Sequence, residues 1–190
     1  GKKGGCDLFV VSTNKEKQTI VENFEYEPDE VINTGLPRWD VLKDKSQGKR
    51  EILIMPTWRN WLDSVPDKDF EESDYFRHYM GLLNSERLNQ ILEKYDLEVN
   101  FYLHAKFQEY ADTFKSISKR IHLISFGEVA VNEMLMRCRM LITDYSSVCW
   151  DILYQDKPSL FYQFDIEKYN EAHGSYIDME TELFGDRAAT

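Results

Sequence analysis

Short apolar runs rich in β-branched and aromatic residues alternate along this chain with stretches whose apolar positions recur at three- and four-residue spacing. The runs predict strands at Asp7–Val11, Val31–Thr34, Glu51–Met55, Glu98–Leu103, Ile121–Ile124, Met140–Thr143 and Ser159–Tyr162. The amphipathic stretches predict helices at Lys15–Phe24, Ser85–Tyr95, Phe107–Phe114, Val129–Arg137 and Ser147–Gln155. Strands separated by helices of about ten residues make βαβ units, hence an α/β fold: a Rossmann-like parallel sheet with helices on both faces. Such sheets bind ligands beyond the carboxyl ends of their strands, so the residues that follow each strand are the ones to read for chemistry.

Those residues carry chemistry. Pro56-Thr57-Trp58-Arg59 follows the third run, His104-Ala105-Lys106 the fourth, Ser125-Phe126-Gly127 the fifth and Gln163-Phe164-Asp165 the last. After Met140–Leu141 comes Thr143-Asp144-Tyr145-Ser146-Ser147, where a strand feeds straight into a helix start. Unpaired N–H groups and the positive end of the helix dipole make such a start an anion site, and the hydroxyls of Ser146 and Ser147 add donors. The competing reading is a simple helix cap on Asp144 or Ser146. By contrast Asp63–Asp74 has six acids, one lysine and no apolar period, and reads as a solvated loop.

Composition narrows the classes. The chain has 190 residues, 42% of them hydrophobic, enough for one cored domain or one domain and part of another. Its formal charge of −11 argues against binding nucleic acid through clustered Lys and Arg, so a phosphate site must be local. No apolar run reaches the ~20 residues of a membrane helix, and the Gly1–Gly5 opening leads into no signal-peptide core. Cys6, Cys138 and Cys149 have no paired or zinc-ligand spacing and read as reduced thiols, two of them in the core. No metal or other cofactor is expected.

Several segments, in this order, resemble the CDP-glycerol glycerophosphotransferases, the primases and polymerases of teichoic acid. They are Gly35-Leu36-Pro37-Arg38-Trp39-Asp40, Met55–Arg59, Leu103-His104, Leu141–Val148 with Asp151, Asp156-Lys157-Pro158 and Phe161–Asp165. The resemblance implies one half of a two-domain GT-B architecture. Residues 1–38 would be the tail of an N-terminal domain and the crossover, and 39–190 the C-terminal domain that binds the nucleotide donor. It also implies a second histidine in an N-terminal half that nothing here matches, so this segment would bind donor but turn over poorly alone. Ala105 departs from the proline common after the histidine. Phe184-Gly185-Asp186 replaces a Pro-Gly-Pro, so the chain is expected to stop short of the family's last helix.

On this resemblance the intact protein moves glycerol phosphate, or a related polyol phosphate, from a CDP-activated donor to a hydroxyl of a cell-envelope polymer. The acceptor would be a lipid-linked saccharide or polymer, met at the inner face of the membrane by a cytoplasmic, peripheral enzyme. His104 would stabilise charge on the phosphate that leaves. Arg59, Thr143, Ser146 and Ser147 would contact the pyrophosphate, Arg59 through its planar fork. Asp151, one turn beyond Ser147, would hold a hydroxyl or orient a serine, or else lie on a solvated helix face. Gln163 would read the cytosine edge or a hydroxyl. His78, His122 and His173 have no such match and read as structural. The alternatives are a sugar-nucleotide GT-B glycosyltransferase or epimerase, and a nucleotide-binding domain without turnover.

Overall fold

The computed structural model describes residues 5–190; the Gly-Lys-Lys-Gly opening lies outside the described residues. The chain forms two compact units, Gly1–Leu42 and Lys43–Thr190. The boundary read after Arg38 falls inside the 3₁₀ turn Pro37–Val41 that closes the first unit. In that unit β1 (Phe9–Val11) pairs in parallel with β2 (Val31–Asn33) through the crossover helix α1 (Asn14–Asn23). Thr13 caps α1 by accepting the Glu16 N–H, and Glu16 reaches back to the Ser12 N–H, so two orphan donors are satisfied. Val11, Ile20, Tyr26 and Val31 form its core.

The second unit is a six-stranded parallel sheet. Its strands are β3 (Glu51–Ile54), β4 (Glu98–Tyr102), β5 (Ile121–Ile124), β6 (Met140–Thr143), β7 (Ser159–Tyr162) and β8 (Asp186–Ala188), in the order β5-β4-β3-β6-β7-β8. The chain winds outward from β3 to β5, crosses back beside β3 as β6, and winds outward the other way. Between β3 and β6 the winding reverses, which is where sheets of this kind bind ligands beyond their strand ends.

Period-two alternation divides the strands between two cores. Ile52, Ile54, Val99, Phe101 and Ile142 face one side, under α3 (Asp74–Leu83) and α4 (Glu86–Tyr95). Leu53, Met55, Tyr102, Leu141 and Phe161 face the other, under α5 (Val131–Arg137) and α6 (Val148–Tyr154). The first core is rich in aromatics; the second is aliphatic and sulfur-bearing. Cys138 and Cys149 lie in it as free thiols, pushed up to about 11 and about 12 by burial.

Five elements differ from the sequence reading. The acidic stretch is not merely a solvated loop: α2 (Asp67–Glu71) turns Phe70 fully inward, 3.9 Å from and stacked on Tyr110. One buried ring outweighs the missing apolar period. The segment read as a helix over Phe107–Phe114 is a 3₁₀ helix over Ala105–Thr113. Its buried Phe107 and Tyr110 are three residues apart, the repeat of that helix. The sequence reading lacked α3 because its buried positions, Tyr75, Tyr79 and Leu83, are mostly tyrosines. It also lacked α7 (Ile166–His173), which buries only Tyr169, and the short charged edge strand β8. Gly185 leads into β8 at φ +102°, where a Cβ would run into the Ser159 carbonyl of β7.

Candidate functional site

The loops leaving β3 and β6 are sewn together by buried charge. The Asp144 carboxylate has no exposed side-chain surface. It accepts the Thr57 N–H at 2.8 Å, the Tyr145 N–H at 2.6 Å and the Tyr79 hydroxyl at 3.1 Å, and pairs with Arg59 at 2.9 Å. Arg59, also fully buried, gives Nε and Nη2 to Asp165 at 2.7 and 3.0 Å and Nη1 to the Thr57 carbonyl at 2.7 Å. Tyr145 donates its hydroxyl to Asp165 at 3.0 Å. Burial works against the guanidinium charge, but Asp144 and Asp165 outweigh it and hold Arg59 protonated well above its usual range. Desolvation likewise drives the Tyr75 and Tyr79 hydroxyls well above the usual phenol value, so they stay neutral. Three loops, after β3, β6 and β7, are thus tied in one knot.

Other expected ligands belong to the same framework. Thr143 is fully buried and donates its hydroxyl to the Met55 carbonyl at 2.6 Å, locking β6 to β3. Gln163, 3% exposed, donates to the Asp144 and Met179 carbonyls, both at 3.3 Å, and accepts from Arg187 Nε at 2.6 Å. Arg59, Thr143 and Gln163, read from sequence as donor contacts, therefore spend their polar groups on the protein itself. The physical reason is that each lies below the rim, where an unpaired polar group would be costly. Asp151 is also buried, in the body of α6, and does not lie on a solvated face.

The rim is different. Ser146 is half-buried and Ser147 exposed at the start of α6. Among the described residues no hydrogen bond uses the N–H of either serine, and Ser146 Oγ has only a long 3.5 Å contact from the Val148 N–H. His104, at the end of β4, caps the 3₁₀ helix by accepting the Lys106 N–H at Nδ1, 3.2 Å away, so the neutral ring carries its proton on Nε2. Burial and the Lys106 charge lower its pKa; Asp144 pulls the other way. Trp58 stacks on His104 with ring centres 6.1 Å apart, and His173 from α7 meets the indole edge-on at 5.8 Å. Burial and the nearby Arg59 lower the pKa of His173 as well.

Sequence reasoning missed Asp165 as the second anchor of Arg59, and Trp58 as the surface shared by two imidazoles. Lys157, quoted only as part of a motif, caps α5: its Nζ reaches the Leu135 and Met136 carbonyls at 2.9 and 2.7 Å. A signal for it was present, since a lysine followed by proline, just after a helix, suits a turn that points back at an earlier helix end.

The family model of the CDP-Glycerol:Poly(glycerophosphate) glycerophosphotransferases matches residues 2–190. The chain belongs to this family. Among relatives of this glycerophosphotransferase segment, the minor teichoic acid biosynthesis protein GgaB of Bacillus subtilis is 33% identical over 94% of the chain, which spans 20% of that protein. A teichoic acid glycerol-phosphate transferase of Staphylococcus aureus is 27% identical over 93% of the chain, which spans 47% of it. The chain therefore covers half or less of these curated relatives. Among solved structures, the wall teichoic acid polymerase TagF superposes with a TM-score of 0.72 at 22% identity, over 96% of this chain and 46% of that one. An S. aureus MnaA–UDP co-structure superposes with a TM-score of 0.53 at 17% identity, over 82% of this chain and 43% of that one. Both likenesses are of fold, in line with the GT-B half expected from sequence. No described helix is long and apolar enough to cross a membrane.

Proposed function

We propose that this segment is the donor-binding half of an enzyme that transfers glycerol phosphate, or a related polyol phosphate, from a CDP-activated donor to a hydroxyl of a cell-envelope polymer. The observation that carries the reading is the family match over residues 2–190, on a parallel sheet whose carboxyl-edge loops after β4 and β6 carry His104, Ser146 and Ser147. A variant of TagF has been soaked with CDPG, which supports a CDP-linked donor for a chain of this fold. The acceptor hydroxyl oxygen forms a bond to the β-phosphorus, the bridging oxygen bond breaks, and CMP leaves. Neutral His104 donates from Nε2 to the departing phosphate, while the N–H and O–H groups of Ser146 and Ser147 hold the pyrophosphate. The proton of the acceptor goes to a base in the N-terminal half that the resemblance implies. Residues up to about Arg38 belong to that half and the crossover. The whole enzyme works from the cytoplasmic side, at the membrane surface where a lipid-linked acceptor resides.

A thermal-shift comparison tests this, because a ligand stabilises the fold that binds it. CDP-glycerol or CDP-ribitol should raise the melting temperature while UDP-sugars and CMP-sialic acid leave it unchanged. A response confined to UDP-sugars would overturn the reading in favour of an epimerase-like or glycosyltransferase role.

A further inference from the structure

Lys106 is absorbed by neither the fold nor the proposed chemistry, yet three contacts converge on it. Its Nζ sits 4.4 Å from the centre of the Trp58 ring and pairs with Asp63 at 2.9 Å. Its backbone N–H fixes Nδ1 of His104, whose ring stacks on the same indole. Asp63 opens the acidic stretch, so the first acid of that stretch has a specific partner across 43 residues of chain. A cation over an indole is held electrostatically, and half-exposure of both Lys106 and Asp63 leaves the pair dependent on that platform rather than on burial.

We infer that Trp58, Lys106 and Asp63 form a positioning clamp for His104: the indole sets the plane of the imidazole, and the tethered ammonium and its own N–H keep the ring neutral, with its proton on Nε2. This deepens the role proposed above for His104 and rests on it for its chemical purpose. Lys106 and Trp58 act through His104 and are positioning residues. The groups that bear on the imidazole are Lys106 on its own turn and Asp144 at the end of β6; Asp63 acts through Lys106, and His173 lies against the same indole. The ammonium opposes protonation of His104, and Asp144 favours it. Removing the ammonium therefore leaves burial alone to oppose Asp144.

Histidine NMR on the 190-residue chain reads the clamp with no donor present. In Lys106→Met the His104 titration should move upward relative to the wild-type chain, and Lys106→Arg should restore it. In Trp58→Leu the single Nε2–H tautomer of His104 should give way to a mixture. His122, held by Glu98 at 2.9 Å, serves as an internal control that stays unchanged if the fold is intact. The inference is overturned if Lys106→Met titrates like the wild type, if Lys106→Arg behaves like Lys106→Met, or if the tautomer survives loss of the indole. Since no nucleotide is involved, a negative result leaves the CDP-glycerol thermal shift standing, and a missing thermal shift leaves the clamp standing.

Discussion

Two regions lie within a few residues of each other at the carboxyl edge and obey opposite rules. Below the rim, Arg59, Asp144 and Asp165 satisfy one another almost without water. At the rim, His104, Ser146 and Ser147 keep donors unspent. Residue type does not separate the two regions, since an arginine is a better phosphate ligand on paper than a serine. What separates them is depth. A charge that is buried must be paired by the protein, and a charge paired by the protein has nothing left to give a ligand.

The sharpest way to break this contrast is Arg59→Met. If Arg59 is framework, the substitution strands the fully buried Asp144 carboxylate and the largely buried Asp165 and should cost about 3–5 kcal/mol in urea denaturation. A variant of wild-type stability that merely binds donor more weakly would move Arg59 to the rim. His104→Ala should do the reverse. In a full-length enzyme it should cut turnover by about 10²-fold or more and leave donor affinity within about threefold. Its urea midpoint should stay close to wild type, and full retained activity would refute the assigned role. Ser146→Ala and Ser147→Ala should each weaken CDP-glycerol binding by about 1 kcal/mol, roughly fivefold, in calorimetry. Unchanged affinity in both would remove the α6 start from the donor site.

The smallest effect is the pH dependence. His104 and His173 both titrate below the ordinary imidazole value because burial disfavours their charged forms. Unfolded imidazoles protonate near ~6.5, so the stability these residues contribute is present above that pH and is lost as pH falls through the depressed folded values. The urea midpoint should therefore decline between about pH 7.5 and 5.5, above the range of ordinary carboxylates. A flat or rising midpoint would mean that neither ring is neutral by design.

The sheet was legible because β3, β4, β6 and β7 are covered by helices, so their sequences are short apolar runs with punctuation between them. The strand β8 was not, since an edge strand of Asp, Arg and Ala carries no such run. Reading the residues after each strand picked out loops that share one edge, because a parallel sheet sends all its carboxyl ends the same way. It did not distinguish frame from rim. Arg59 becomes framework only through Asp165, 106 residues further on, and no local pattern around Arg59 encodes that encounter. His104 was named from sequence as a candidate, but nothing local to it in the sequence points to Trp58 as its stacking partner.

The winding order has a consequence for how the chain is made. β3 emerges from synthesis well before its central partner β6, and Arg59 emerges long before Asp144 and Asp165. Until those arrive, the guanidinium must remain hydrated and the β6-facing edge of β3 stays open to solvent. The knot at the strand ends is therefore assembled late, and a nascent chain halted before Met140 holds a half-sheet with a bare central edge, a natural foothold for chaperones.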